Sequence, residues 1–280
     1  MRREIREIFK GKAVTEGAGV KLRRIFGFAE PEMFDPFLML DDFRSDNPED
    51  FLAGFPWHPH RGIETITYVT KGDVEHGDSL GNKGVIGSGD VQWMTAGSGI
   101  IHQEMPKGDK NGSMHGFQLW ANLPANDKMM NPRYRGITAD QIPEVLLENG
   151  VEIKIIAGRV GDVSGPMDDI VIEPEYMDCT VPAVTEFVHP TKLGHTAMIY
   201  VVGGKGSVNG TSVENRTLIL FGDGDEFAIS GSDEPVRFLL LTGKPLNEPI
   251  AWRGPIVMNT QKELDIAFKE YQDGTFIKHS

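Results

Sequence analysis

Between residues 55 and 123 the chain breaks into short apolar runs interleaved with polar positions. "IETITYV" alternates residue by residue. "GDVQWMTAGSGIIHQEM" and "HGFQLWANL" carry two more such runs, and turn-rich segments such as "GDVEHGDSLGNKG" separate them. Period-two alternation closed by Gly, Asn, Asp and Ser predicts antiparallel strands in a sandwich or small barrel. Residues 13 to 43 hold further apolar runs and end in "MFDPFLMLDDF", a segment apolar enough to be core. "LPANDKMMNPRYRG" reads as a linker. Residues 138 to 148 offer one or two helical turns before "NGVEIKIIAG" returns to strand.

The second half repeats this grammar. "AMIYVVGGKGSVNG" parallels "TITYVTKGDVEHG", and "TLILFGDGDEFAIS" parallels "GVIGSGDVQWMTA". In both halves a Tyr-Val strand runs into glycines and a Gly-Asp turn launches the next strand. A weak internal repeat of this kind predicts two copies of one β-module. Near the end, Leu264, Ala267, Phe268 and Tyr271 share one helical face, so residues 260 to 272 are expected to form a terminal helix, capped by Thr260 or Asn259.

Composition narrows the functional classes. The 280 residues suffice for one large or two ordinary domains, and 33 glycines with 17 prolines fit a turn-rich β protein. A net charge of −13 opposes direct binding to nucleic acid. No run approaches the 18 apolar residues of a membrane span, and the basic opening "MRREIREIFKGK" lacks the apolar stretch of a secretory signal. The single cysteine, Cys179, allows no internal disulfide and is read as a strand residue. These features point to the cytoplasm, or to a nucleus where the source cell has one.

The chemistry concentrates in "FPWHPHRGIETITYV". His58 and His60 stand at i and i+2 and project to one face of a strand. Glu64 shares their parity if no bulge intervenes. A second pair, His102 and Glu104 in "SGIIHQEMP", again sits at i and i+2. Two such pairs on two strands converge inside a barrel. Three imidazoles with a carboxylate suit a divalent first-row metal with open positions for water or substrate. The set is too hard for Cu(I) and unlike a closed thiolate zinc site. The remaining histidines carry less. His76 is expected in a turn and His115 beside the pocket or within the sheet. Superposing the repeats on Tyr68 and Tyr200 places the HxH positions at Pro190 and Lys192. His189 and His195 therefore miss them, and the second module lacks the set.

"GFPWHPHRGIETITYV", "GDVQWMTAGSGIIHQEMP", "FDPFLMLDDF", "FQLWANLPANDKM", "IIAGRVG" and "GPIVMNTQKEL" together resemble pirins, members of the cupin superfamily. The resemblance runs over nearly the whole chain and is densest from about 35 to 130. It implies an all-β bicupin: two antiparallel, jelly-roll-like cupin barrels in tandem with a short C-terminal helix. The N-terminal barrel (1–135) would hold the metal, and the C-terminal one (136–280) would be degenerate. It further implies ligation by His58, His60, His102 and Glu104. Glu64, where the general cupin pattern has its glutamate, is left to the pocket. Fe(II) is the metal the resemblance favours; Mn, Ni, Co, Cu and Zn remain compatible with the donors, because loading follows supply as well as affinity.

Two activities follow from the family. One is a quercetin 2,3-dioxygenase type of oxidoreductase, taking a flavonol-like aromatic substrate and O2. In it Glu104, with Glu64 as fallback, is the catalytic base, and Phe55, Trp57, Trp93, Met94 or Phe117 lines the pocket. The other is a non-enzymatic iron-dependent redox sensor or co-regulator that binds a protein partner. Room for a three-ring substrate beside the metal separates the two. A sugar-isomerase cupin fits less well, because the glutamate follows the last histidine.

Overall fold

The computed structural model describes residues 1–279, nearly all of the regular structure being antiparallel strand. Its compact units are Lys12–Ala139 with Leu246–Ser280, and Met1–Gly11 with Asp140–Pro245. The division differs from a contiguous split at 135/136, because each unit takes one chain terminus from beyond the expected boundary.

The first strand, β1 (Ile5–Phe9), shows why. It pairs antiparallel with Thr217–Phe221, running from Ile5 opposite Phe221 to Phe9 opposite Leu218. Arg3, just before it, is buried and donates to the carbonyls of Gly222, Lys192 and His195. The basic opening therefore leads into an edge strand of the second barrel's sheet. That barrel is one nine-stranded sheet, in which Thr196–Val208 and Glu226–Gly243 are long enough to bend. Register shifts at Val201/Gly203 and Gly204/Gly206 make the bend. Gly204 sits there at φ +67, a conformation costly to any other residue. The core is aliphatic and phenyl: Ile153, Ile199, Ile219, Leu240, Phe187, Phe227 and Phe238 among others. Cys179 lies in this core on strand Glu175–Val181, and burial pushes its thiol upward, away from reactivity.

The other unit carries β2 (Lys12–Glu16), β3 (Val20–Phe26), β4 (Phe37–Asp42), β5 (Phe55–His60), β6 (Ile63–Lys71), β7 (Val74–Asp78), β8 (Lys83–Ile86), β9 (Val91–Thr95), β10 (Ile100–Pro106), β11 (His115–Asn122) and β12 (Arg133–Ile137). A seven-stranded sheet runs β12-β9-β6-β11-β4-β3-β2, and a four-stranded sheet runs β5-β10-β7-β8. Val20, Leu22 and Val69 of the first meet Val74 and Ile86 of the second in one buried cluster. "MFDPFLMLDDF" is core, as its composition predicts, with Phe34, Phe37, Leu38 and Leu40 fully buried. The stretch read as a linker is ordered into this barrel: it ends in β12, and Lys128 within it is buried.

Residues 246–279 complete the unit. Ala251–Arg253 and Ile256–Met258 pair across a Gly254 turn, and helix α1 (Gln261–Gln272) follows. Thr260 caps it in a full capping box with Glu263. Leu264 and Ala267 are buried against Ile256, Met258 and Phe276. Tyr271, on the same predicted face, stays partly exposed. No helix among the described residues is long and apolar enough to cross a membrane.

Candidate metal centre

Strands β5 and β10 lie side by side with His58 opposite His102. Strand pleat sends His58, His60 and His102 to the same interior face, and their ligand atoms lie within 4.8 Å of one another. His58 Nε2 is 2.9 Å from His102 Nε2 and 3.1 Å from His60 Nε2. His102 is 0% exposed and His60 nearly so. Burial, reinforced by the neighbouring imidazoles, holds His60 and His102 well below the usual histidine range, and burial lowers His58 as well.

The outer nitrogens decide what this cluster can do. His58 Nδ1 lies 2.9 Å from the Pro56 carbonyl and His60 Nδ1 lies 3.1 Å from the Pro255 carbonyl. A carbonyl only accepts, so each Nδ1 must carry the hydrogen. In a neutral ring the facing Nε2 is then a bare lone pair. Two bare lone pairs 3.1 Å apart cannot hydrogen-bond; a cation between them turns the repulsion into ligation. Backbone acceptors behind metal-binding imidazoles produce this tautomer. The residues thus fit a divalent metal, and among the described residues this is the one His/Cys/Asp/Glu group with such geometry.

Glu104, two residues past His102, lines the same cavity as His58 and His60 and is 7% exposed. It lies outside the tight three-histidine group. Its Oε1 accepts from Thr67 at 2.7 Å, and burial pushes its carboxyl up to about 7. Thr67 also lies 2.8 Å from Gln118 Oε1. A hydroxyl has one hydrogen, so Thr67 donates to one of the two and accepts from the other: from Glu104 when that carboxyl is protonated, or from Gln118 when its amide NH2 faces Thr67.

Glu64 is not in the cavity, contrary to the parity argument. Two residues past the end of β5, Gly62 turns at φ +77, where a Cβ would lie 1.9 Å from the Val257 carbonyl oxygen, and β6 begins in the other sheet. Parity is lost at that turn. Within β6, Thr67 faces the cavity, so Glu64 faces the opposite way. There its Oε1 accepts from Thr95 at 2.6 Å, and burial raises its carboxyl. Glu64 thus faces away from the cavity that Glu104 lines.

His76 is a second correction. It lies on β7 opposite Glu104, buried rather than in a turn. Its ring stacks on Tyr134 at 5.1 Å and meets His102 edge-on at 5.6 Å. "DVEHGDSLG" hides this strand among turn residues. His115, half-buried, contacts Asp46 instead of the cavity.

The cavity has a volume of about 530 Å³. Of the residues expected to line it, Phe55 does. Trp93, Met94 and Phe117 are buried elsewhere, and Trp57 is half exposed. The wall is made by Met39, Phe43, Trp120, Trp252 and Phe28, with Arg24 forked on Asp41 at 2.9 and 2.8 Å. Asp41 is nonetheless raised to about 6, its burial outweighing the guanidinium. Trp252 and Pro255 are the contributions that strand alternation could not locate, since they arrive from the far end of the chain.

Comparison with known proteins agrees with this geometry. Residues 19–121 match the Pirin family profile, and residues 176–277 match the Pirin C-terminal cupin domain. A pirin-like protein of Caulobacter vibrioides is 44% identical over 275 residues, covering 98% of this chain and 99% of that one. A pirin-like protein of Solanum lycopersicum is 40% identical over 94% of this chain and 89% of its own. The crystal structure of a quercetin 2,3-dioxygenase from Acinetobacter baumannii superposes with a TM-score of 0.89 at 34% identity, covering 99% of both chains. Two cupin domains, a histidine cluster that among the described residues occurs in the first alone, and relatives matched nearly end to end place the chain in the pirin family.

Proposed function

We propose that the protein is an Fe(II)-dependent dioxygenase that cleaves flavonol-like aromatic substrates with O2, releasing carbon monoxide. The observation that carries this reading is the cavity of about 530 Å³ with aromatic walls, opening onto His58, His60 and Glu104. A redox sensor needs no such space, whereas a three-ring substrate does.

In this reading His58, His60 and His102 hold the metal and Glu104 supplies the fourth, carboxylate donor. A metal held there would supply Lewis acidity to the substrate's 3-hydroxyl. Everything else falls to the chain. Trp120 and Trp252, 6.0 Å apart, and Phe55 offer flat surfaces to the substrate rings. Glu104, buried and lining the same cavity, is the carboxylate placed to take a proton from that hydroxyl. The Thr67–Gln118 network holds its carboxyl in place while the proton moves. Pro56 and Pro255 keep the Nδ1 hydrogens of two ligands fixed, so the imidazoles do not compete for that proton. The similarity to a structure named quercetin 2,3-dioxygenase supports the same substrate class.

Anaerobic reconstitution with Fe(II), followed by quercetin and O2, tests it. Loss of flavonol absorbance with carbon monoxide release is expected, and both disappear in the His58→Ala, His102→Ala double variant. Iron bound without turnover would shift the reading to a redox switch that engages a protein partner.

A further inference from the structure

The two histidines whose tautomers are fixed are held in different ways. The acceptor of His58, Pro56, belongs to its own strand. The acceptor of His60, Pro255, lies 195 residues away. The Pro255 carbonyl reaches His60 only while the segment around it is held against the turn that follows β5. The Val257 amide donates to the Arg61 carbonyl at 3.1 Å as one tie. The other is Lys128. Its Nζ donates to the carbonyl of Gly62 at 2.9 Å, to Asn122 Oδ1 at 2.6 Å and to the carbonyl of Val257 at 3.2 Å. Gly62 is two residues past His60 and Val257 is two residues past Pro255, so one ammonium ties together both flanks of the His60–Pro255 contact.

This lysine is 1% exposed, and its hydrogen-bond partners include no carboxylate. Burial lowers its pKa to about 7. An ammonium removed from water without an ion pair is a poor source of stability, and an apolar side chain would fill the space at lower desolvation cost. What the ammonium supplies and an apolar group cannot is three directed donors joining three segments of chain.

We propose that Lys128 is a positioning residue of the metal centre, holding the Pro255 carbonyl on His60 Nδ1 and so fixing the proton and ring orientation of that ligand. The inference rests on the reading of His58, His60 and His102 as metal ligands. Acceptors behind metal-binding histidines typically change metal affinity 10- to 100-fold when lost, so about that loss is expected here.

The test uses the full-length protein loaded with Co(II), in which the Nδ1 hydrogen of each bound imidazole gives its own shifted, exchangeable proton resonance. In Lys128→Met the His60 resonance is expected to move or exchange away, the His58 resonance to stay, and Co(II) affinity to fall about 10- to 100-fold. If Lys128→Met does not fold, Asn122→Ala, which removes only the side-chain acceptor, is expected to shift the same resonance by less. A variant with a lower melting temperature but unchanged Co(II) affinity and an unmoved His60 resonance would overturn the proposal and leave Lys128 a packing residue. Wild-type protein that binds no Co(II) would instead overturn the metal reading, and this inference with it.

Discussion

The two barrels are built on one alternating pattern and differ in what their inward positions carry. In the first, β5 and β10 turn His58, His60 and Glu104 into a cavity with open volume, with His102 buried behind against His58. In the second, strand Glu186–Pro190 turns Phe187 and His189 inward. Phe187, Phe221, Phe227 and Phe238 fill that interior, with Phe221 stacked on Phe227 at 5.1 Å and the others 6.3–6.4 Å apart. Its one inward histidine lies against Phe187 and Phe227 and is 3.3 Å from Glu175. Phenyl rings at the inward positions make a packed core; imidazoles at those positions make a site. The backbone grammar is indifferent to the choice.

That contrast can be broken from either side. Phe227→Ala should remove a buried ring from a filled core and cost about 3–5 kcal/mol of stability. Denaturant unfolding measures the loss, while metal stoichiometry should stay at the wild-type value. Unchanged stability would mean that the second interior is not packed as described.

Glu104→Gln should have the opposite sign in the metal-free protein. The folded state raises this carboxyl from 4.5 to about 7 through burial. The folded chain therefore holds the proton more tightly than the unfolded one, and stability falls as pH rises across that window. The gap is worth about 3 kcal/mol when complete. Gln keeps an acceptor for Thr67 and carries no charge. Above about pH 7 the metal-free variant is expected to be more stable than wild type by up to about 3 kcal/mol, the two converging as the pH falls toward 4.5. Equal stability at high pH would show that Glu104 is solvated in the folded protein. A first barrel that gains stability on losing its carboxylate is organised for ligation, unlike its twin.

Much of this was legible in local order. The HxH and HxE spacings, read with the two-residue pleat, bring the three histidines together and set Glu104 beside them. The same argument fails for Glu64, because parity persists only while a strand does and the turn at Gly62 separates β5 from β6. His76 was hidden by its glycine and aspartate neighbours, which signal turns even where a short strand is buried. Lys128 sits in a polar stretch that reads as exposed. Its backbone acceptors, the carbonyls of Gly62 and Val257, come from distant parts of the chain. Pro255 illustrates the general limit: a backbone acceptor has no side-chain signature, so the partner of His60 emerges only once the chain is folded.

The most direct measurement of the central claim, that the first barrel alone holds a metal, is the iron content of the purified protein after anaerobic Fe(II) loading and removal of excess ion. Wild type should retain about one ion per chain, and His102→Ala none, with its circular dichroism unchanged because sheet packing rather than ligation carries the fold. Two ions per chain, or full retention in His102→Ala, would contradict it.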